Sequence, residues 1–351
     1  MGPEADQPLP REDLDDLQAR VGELWVGLEG GRLFLTGCTG FFGAWLVEGL
    51  LAAVDQQRLR VQAVLLTRDP KGFRQRMPHI AGHPAISLHA GDVRTFEPPE
   101  GQFTHLIHGA TTPSATLNSE QPRLMLETIL GGTQRVLEAA ARMGIQNALF
   151  VSSGAVYGLQ PTDLLRIPED YAGAADPMDP QDSYGLGKRL AEHLCRLTTQ
   201  ESGMAIRIAR CFAFLGPQQP LATHQAASSF LRDALAGEPV RVSGDGTAVR
   251  SWLYGKDLAW WLWTILLKGS PGRTYNVGSE QAVDISTFAN LVASAGGTNV
   301  QITGLPVPGR PPHRYVPDTT RARLELDLDV SVSLEDAIRR TIQWNLRAAR
   351  G

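Results

Sequence analysis

The sequence is poor in cysteine and in lysine, and it has no long apolar run. Its three cysteines, Cys38, Cys195 and Cys211, are odd in number and lack metal-ligand spacing. That argues against a disulfide framework and a cysteine metal site, and it points to a reducing compartment. The only lysines are Lys71, Lys188, Lys256 and Lys268; arginine supplies the remaining positive charge. Each lysine is therefore a less accidental choice. The net charge of -4 offers no electrostatic footprint for nucleic acid or an anionic membrane. No apolar stretch is long enough to span a bilayer, and even Trp260 to Leu267 falls short. Met1 to Pro10 is polar, without an apolar signal core, so a cytoplasmic location is expected.

What is present begins with Thr36-Gly37-Cys38-Thr39-Gly40-Phe41-Phe42-Gly43. This segment follows a short apolar run, Leu33 to Leu35, and opens a helical stretch, Ala44 to Ala53. A strand, a glycine-rich turn and a helix start form a nest for a dinucleotide pyrophosphate. Gly37 is expected to permit the turn, Gly40 to let the backbone approach phosphate, and Gly43 to let helix and strand pack closely. Free N–H groups and the positive end of the helix dipole then face the anion.

The 351 residues allow one large domain or two modest ones. Leu14, Leu17, Val21, Leu24 and Leu28 recur at helical spacing and predict one helix in an N-terminal extension, residues 1–30. Strand-like runs then alternate with helical stretches: Leu33–Leu35, Val61–Leu66, Ala85–Leu88, His105–Ile107, Ala148–Val151 and Ala205–Ile208. The helical stretches include Leu124–Met143 and Tyr184–Thr199. This alternation predicts an α/β fold, a doubly wound, Rossmann-like parallel sheet with ligand beyond the carboxyl ends of the strands. The dinucleotide-binding domain is expected to comprise 31–216 and 251–278. A smaller α/β substrate-binding domain would comprise 217–250 and 279–351. The loop Gln160 to Gln181 and the Pro-rich Pro306 to Pro317 are the expected mobile pieces over a cleft.

A second constellation is Ser153, Tyr184 and Lys188. Ser153 ends the strand Ala148–Val151. Tyr184 and Lys188 are four apart and share a helix face. An ammonium beside a phenol favours phenolate and lowers its pKa. A phenol so tuned can exchange a proton with a sugar hydroxyl while hydride moves to or from nicotinamide. The Ser153 hydroxyl can bond the same oxygen, and Lys188 can hold the cofactor ribose.

With these residues in order, the chain resembles the extended short-chain dehydrogenase/reductases, in the branch of nucleotide-sugar epimerases, dehydratases and reductases. The resemblance runs from about Arg32 to Leu346. It rests on the glycine turn, Gly91-Asp92-Val93, His108-Gly109-Ala110, Ser153, and Tyr184 to Lys188. It continues through Arg210 to Gly216-Pro217, Gly244-Asp245-Gly246 with Arg250, Asp257-Leu258-Ala259, and Tyr275-Asn276-Val277-Gly278. It implies a cofactor site of Gly37, Thr39, Gly40, Phe41, Phe42, Gly43, Asp92, Val93, Gly109, Ala110, Thr111, Tyr184 and Lys188, with Asp92 on the adenine; Thr67 and Arg68 join it on their own chemistry, a hydroxyl and a cation suited to a 2′-phosphate. It implies a nucleotide-diphosphate sugar as substrate, held by Ser153 and by Arg250 and Arg314 on the diphosphate, with His224 a further candidate. Guanidinium forks suit phosphate for the same physical reason. No metal is expected. A homodimer is common in the family and is expected here.

Three departures from the pattern shape the expected chemistry. Dehydrating members usually carry an acidic pair after the serine; Gly154 and Ala155 stand there and cannot act as acid or base. The second strand ends in Thr67-Arg68, where an NAD site usually places a carboxylate. NADP is therefore expected rather than NAD, with Asp69 as the alternative ribose ligand. The family's Asn after Arg-x-Phe is Ala213. The leading expectation is hydride transfer at one sugar carbinol, C4, leading to epimerisation or to net 4-keto reduction. The alternatives are a 4,6-dehydratase and a non-catalytic dinucleotide sensor.

Overall fold

Six of these apolar runs are strands of one parallel sheet. They are β1 (Arg32–Thr36), β2 (Gln62–Thr67), β3 (Ile86–Ala90), β4 (His105–His108), β5 (Asn147–Ser153) and β6 (Ala205–Cys211). A seventh strand, Thr274–Val277, pairs with β6, and the order across the sheet is Thr274–Val277, β6, β5, β4, β1, β2, β3. The computed structural model describes residues 7–111, 115–223, 225–305, 309 and 311–348.

Alternation along each strand sends successive side chains to opposite faces. Leu33 and Leu35 of β1 enter one core cluster with helices Phe41–Gln57 and Gly255–Lys268. Phe34 enters the other, with helices Pro122–Arg142 and Ser183–Ser202. Both faces are covered, which is why the strands read as continuous apolar runs rather than alternating ones. Trp261 and Trp263 are fully buried on the first face, and Trp252 stacks on Phe288 with ring centroids 3.8 Å apart. The tryptophans serve packing. The doubly wound fold is as expected, and strands point their carboxyl ends at one rim.

The N-terminal segment differs from the single helix that its periodicity suggests. An α-helix, Arg11–Val21, stops at Gly22, whose φ is 53°, and a 3-10 helix continues over Gly22–Leu28. The left-handed glycine breaks the register while Trp25 and Leu28 stay buried. The α-helix is tied down by charge. Buried Asp13 accepts from the Tyr254 hydroxyl at 2.6 Å and pairs with Arg340. Lys256, also buried, pairs with Asp16 and donates to Ser331 at 2.7 Å. Burial pushes the Asp13 carboxyl above its ordinary pKa, and Tyr254 and Arg340 pull it back.

Beyond Gly216-Pro217 the chain forms short pairings. Val249–Arg250 lies between Val283–Asp284 and Arg314–Tyr315, and Val240–Val242 pairs with Val300–Ile302. The Gln160–Gln181 loop, expected to be mobile, is anchored in the structure. Ile167 is fully buried, bridges to Pro317, and donates its N–H to Val316 O at 2.9 Å. Much of the Pro-rich segment before His313 lies outside the described residues. Among the described residues, no helix is long and apolar enough to cross a membrane.

Candidate active site

The glycine turn has three distinct geometries. Gly37 sits at φ 77°, and a Cβ there would lie 2.3 Å from the Gly109 carbonyl carbon. A Cβ on Gly43 would lie 2.1 Å from Cys38 O, so the helix start presses on the turn. Gly40 is different: nothing lies within 4 Å of its would-be Cβ. Its open side is where a ligand can approach. Gly40 is also the extended N-cap of Phe41–Gln57 and supplies no side-chain cap, so N–H groups of the first helical turn remain available to an anion. Thr39 is exposed; Phe41 and Phe42 are half-buried, with Phe42 edge-on to Phe214 at 5.1 Å. This donor set fits a dinucleotide pyrophosphate.

At the rim, Thr67 is buried and its hydroxyl accepts from the Asp69 N–H at 3.2 Å. Arg68 is exposed. The Asp69 carboxylate caps the helix Pro70–Arg76 by accepting from Gly72 N–H at 2.8 Å. Asp92 is held by Arg94, with Nε 2.8 Å from one oxygen and Nη2 3.1 Å from the other. Arg94, and more distantly Arg68, hold the Asp92 carboxyl below its usual range. Val93 packs toward Gly132, whose Cβ would sit 2.9 Å from it. Gly109 lies against the glycine turn, Ala110 N–H donates to Thr36 Oγ1 at 3.3 Å, and Thr111 Oγ1 donates to Ala110 O at 2.8 Å. His108 bridges Thr36 and Thr133, and burial drives its pKa down to about 3. It is therefore a neutral structural bridge.

Ser153 stands at the carboxyl end of β5, where its Oγ accepts from Ala155 N–H at 3.1 Å. Tyr184 and Lys188 share the inner face of the helix Ser183–Ser202. The Tyr184 phenol lies near Ser153, whose hydroxyl favours its ionised form. Lys188 is buried and donates to Val151 O at 2.8 Å, with Nζ 4.9 Å from the Phe150 ring centre. The expected depression of the phenol is not present. Burial pushes Tyr184 up to about 12, only partly offset by Ser153. Burial likewise pulls Lys188 down to about 8, so the amine is neutral by the pH at which this phenol ionises.

On the substrate side, Arg250 donates from Nη1 to Val249 O at 2.8 Å and to His313 O at 3.1 Å. Its strand runs beside Arg314–Tyr315 in a register that pairs Arg250 with Tyr315 and Arg314 with Val249, so the two arginines lie on adjacent strands but alternate to opposite faces of the ladder. His224 lies outside the described residues. Two groups escaped the sequence reading. Below the serine, Ser152 Oγ donates to Glu192 Oε1 at 2.5 Å, and Glu192 is forked by Arg210 at 2.6 Å. Arg210 lies 4.6 Å from the Tyr157 ring centre, and the Tyr157 hydroxyl donates to Asn276 at 2.8 Å. The other is Tyr315, whose hydroxyl stands over Gly154: a Cβ there would be 2.6 Å from it. The Arg210 and Asn276 motifs gave the signal for the first, and nothing local signalled the second.

An open glycine turn at the rim of a doubly wound parallel sheet, with a serine, a tyrosine and a lysine near the same rim, is the architecture of a dinucleotide-binding α/β protein. Residues 33–278 match the model of the NAD dependent epimerase/dehydratase family, and the chain belongs to that family. Among curated proteins, it is 31% identical over 319 residues to UDP-glucuronic acid decarboxylase 1 of Danio rerio, covering 89% of this chain and 72% of the relative. It is 27% identical over 321 residues to dTDP-glucose 4,6-dehydratase of Streptomyces griseus, covering 89% and 93%. The fold is also that of DesIV, a dTDP-glucose 4,6-dehydratase of Streptomyces venezuelae solved with NAD and TYD bound. That likeness has a TM-score of 0.77 at 24% identity, over 90% of this chain and 97% of that one. UDP-glucose 4-epimerase of Thermotoga maritima aligns with a TM-score of 0.76 at 20% identity, over 91% and 100%.

Proposed function

We propose that this protein is an NAD(P)-dependent enzyme acting on a nucleotide-diphosphate sugar by hydride transfer at one carbinol, C4. The convergence of Ser153 and Tyr184 beside an open glycine turn carries this reading. The relatives named for nucleotide-sugar chemistry support the substrate class. The bound cofactor supplies the hydride acceptor or donor. Tyr184 takes the carbinol proton as hydride leaves and returns it to the sugar oxygen when hydride comes back. Ser153 bonds the same sugar oxygen, and Lys188 holds the cofactor ribose. Arg250 and Arg314 bind the diphosphate.

The reaction is 4-epimerisation or net reduction of a 4-keto sugar. Gly154 and Ala155 offer no acid or base for a second carbon, which argues against 4,6-dehydration. NADP is the proposed cofactor. The Asp69 carboxylate is engaged as a helix cap and Arg68 is exposed at the strand end, which supports a cation available to a 2′-phosphate. The solved DesIV relative carries NAD, and the comparison of NADPH with NADH decides between them. Leu190 and Leu197, exposed by 51% and 37% on the Tyr184 helix, favour a homodimer through that helix.

The test is Tyr184→Phe with a panel of UDP- and dTDP-hexoses and their 4-keto forms. Turnover should fall about a hundredfold to ten-thousandfold, with dinucleotide affinity retained. A wild-type protein that binds dinucleotide but turns over no member of the panel would favour a sensor.

A further inference from the structure

The face of the helix Ser183–Ser202 that carries Tyr184 and Lys188 carries a third polar residue one turn further on, Glu192. The three are spaced by four and form one stripe. Lys188 and Glu192 are only 3% and 7% exposed. Successive turns of the helix grip successive residues of β5. Lys188 Nζ donates to Val151 O at 2.8 Å, and Ser152 Oγ donates to Glu192 Oε1 at 2.5 Å. Ser153 is the next residue. From the other side, Arg210 of β6 is the register partner of Ser152 and forks the same carboxylate, with Nε 3.0 Å from Oε1 and Nη2 2.6 Å from Oε2. One carboxylate thus joins the helix to the carboxyl ends of two strands.

A buried ion pair seldom stabilises a fold more than apolar side chains of similar volume would. The surroundings here are apolar: Phe150, Ala191, Cys195 and Ile208 are buried in the cluster beneath the same helix. Packing alone therefore gives no reason for charge at this place. Resting on the reading of Ser153, Tyr184 and Lys188 as the catalytic group, we infer that Glu192 is a positioning residue for it. Through Ser152 it fixes the strand end that presents Ser153, and through its charge it holds Lys188 as the ammonium that faces the cofactor ribose. It acts only through these neighbours.

The titratable groups facing the Lys188 amine are Glu192 and Cys195 on its own helix, Cys211 on β6 and His108 on β4. Burial pushes both thiols up and drives the imidazole down, so these three are neutral where the amine titrates. Of the four, Glu192 is left to carry charge. Burial lowers the Lys188 amine to about 8, and Glu192 works against that fall. Without the carboxylate, burial acts unopposed and the amine gives up its proton at lower pH. Arg210 serves the carboxylate rather than the amine. It is itself held in place: its Nη1 donates to Glu169 O at 3.1 Å, and its guanidinium lies 4.6 Å from the Tyr157 ring centre. The carboxylate therefore has a fixed partner on one side and a fixed strand on the other.

The experiment uses full-length protein. Affinity for NADPH and for NADH is titrated by nucleotide fluorescence across about pH 7 to 10, and kcat and KM are read over the same range on the hexose panel. Wild type should lose affinity a few-fold as Lys188 titrates, because a charge-assisted bond to the ribose becomes a neutral one. Glu192→Gln keeps the shape and an acceptor for Ser152 but drops the charge. The alkaline limb of both profiles should then move down by about one unit. Glu192→Asp keeps the charge and should hold the limb near its wild-type place, a rescue that a purely structural role does not produce. Ser152→Ala should leave the limb in place, lower kcat about threefold to tenfold and leave KM within about twofold. If Arg210, left without its partner, unfolds Glu192→Gln, the double variant Glu192→Met with Arg210→Met removes both charges at once and should carry the same shift. A limb that stays put without the carboxylate, or full turnover in Ser152→Ala, overturns the inference. Either result leaves the proposed function standing, whereas an active Tyr184→Phe variant overturns the proposed function itself.

Discussion

The cofactor half and the proposed substrate half of the cleft are made in opposite ways. The cofactor half is local: one turn, Gly37 to Gly43, presents backbone N–H groups at the start of a helix. Its demands are steric, and only glycine meets them. The substrate half is assembled from segments far apart in the chain, Ser153 and Gly154 after β5, Arg250 on one short strand and Tyr315 on another. Its demands are met by side chains that tertiary pairing delivers. A site made of backbone should fail abruptly under the smallest substitution. A site made of side chains should lose its contacts one at a time.

The sharpest break of that contrast is expected at Gly43. Gly43→Ala puts a methyl group 2.1 Å from the Cys38 carbonyl oxygen, a backbone atom with little room to move. A destabilisation of about 1–3 kcal/mol is expected, together with loss of dinucleotide binding. Thermal unfolding with and without NADP measures both. Gly40→Ala, with nothing within 4 Å, should keep the stability and lose only affinity. If the two variants behave alike, the contrast is wrong.

Arg250→Ala should weaken nucleotide-sugar binding about tenfold to a hundredfold, the scale of a charged hydrogen-bonding group. Cofactor affinity should not change. Calorimetric titration with UDP and, separately, with NADP distinguishes the halves. The smallest effect is expected at exposed Arg68. Arg68→Ala should cut the preference for NADPH over NADH a few-fold, as befits a solvent-screened charge. A wild-type protein that binds NADH as tightly as NADPH removes the basis for that expectation.

The same contrast explains what could be read from the sequence. The sheet was legible because both faces are buried, which turns each strand into an unbroken apolar run. The glycine turn was legible because its constraint lies within a few consecutive residues. Ser153, Tyr184 and Lys188 were legible through spacing on one helix and position at one strand end. Tyr315 was not, since no periodicity or spacing signals that its hydroxyl stands over Gly154. The electrostatics were equally hidden. An amine four residues from a phenol suggested a lowered pKa, but burial of both groups works against each charge and leaves the phenol high. Likewise Gly22 gave no warning that it would end an α-helix while the apolar spacing ran on.

The pairing of Asp13 with Tyr254 and Arg340 bears on where this protein can be cut. The family match starts at residue 33, which invites trimming of everything before it. Such a cut would strip the carboxylates of Asp13 and Asp16 from a phenol, a guanidinium and an ammonium that they now satisfy. It would also bare the apolar bed of Leu17 and Trp25. The unit that folds is thus larger than the unit that the family shares.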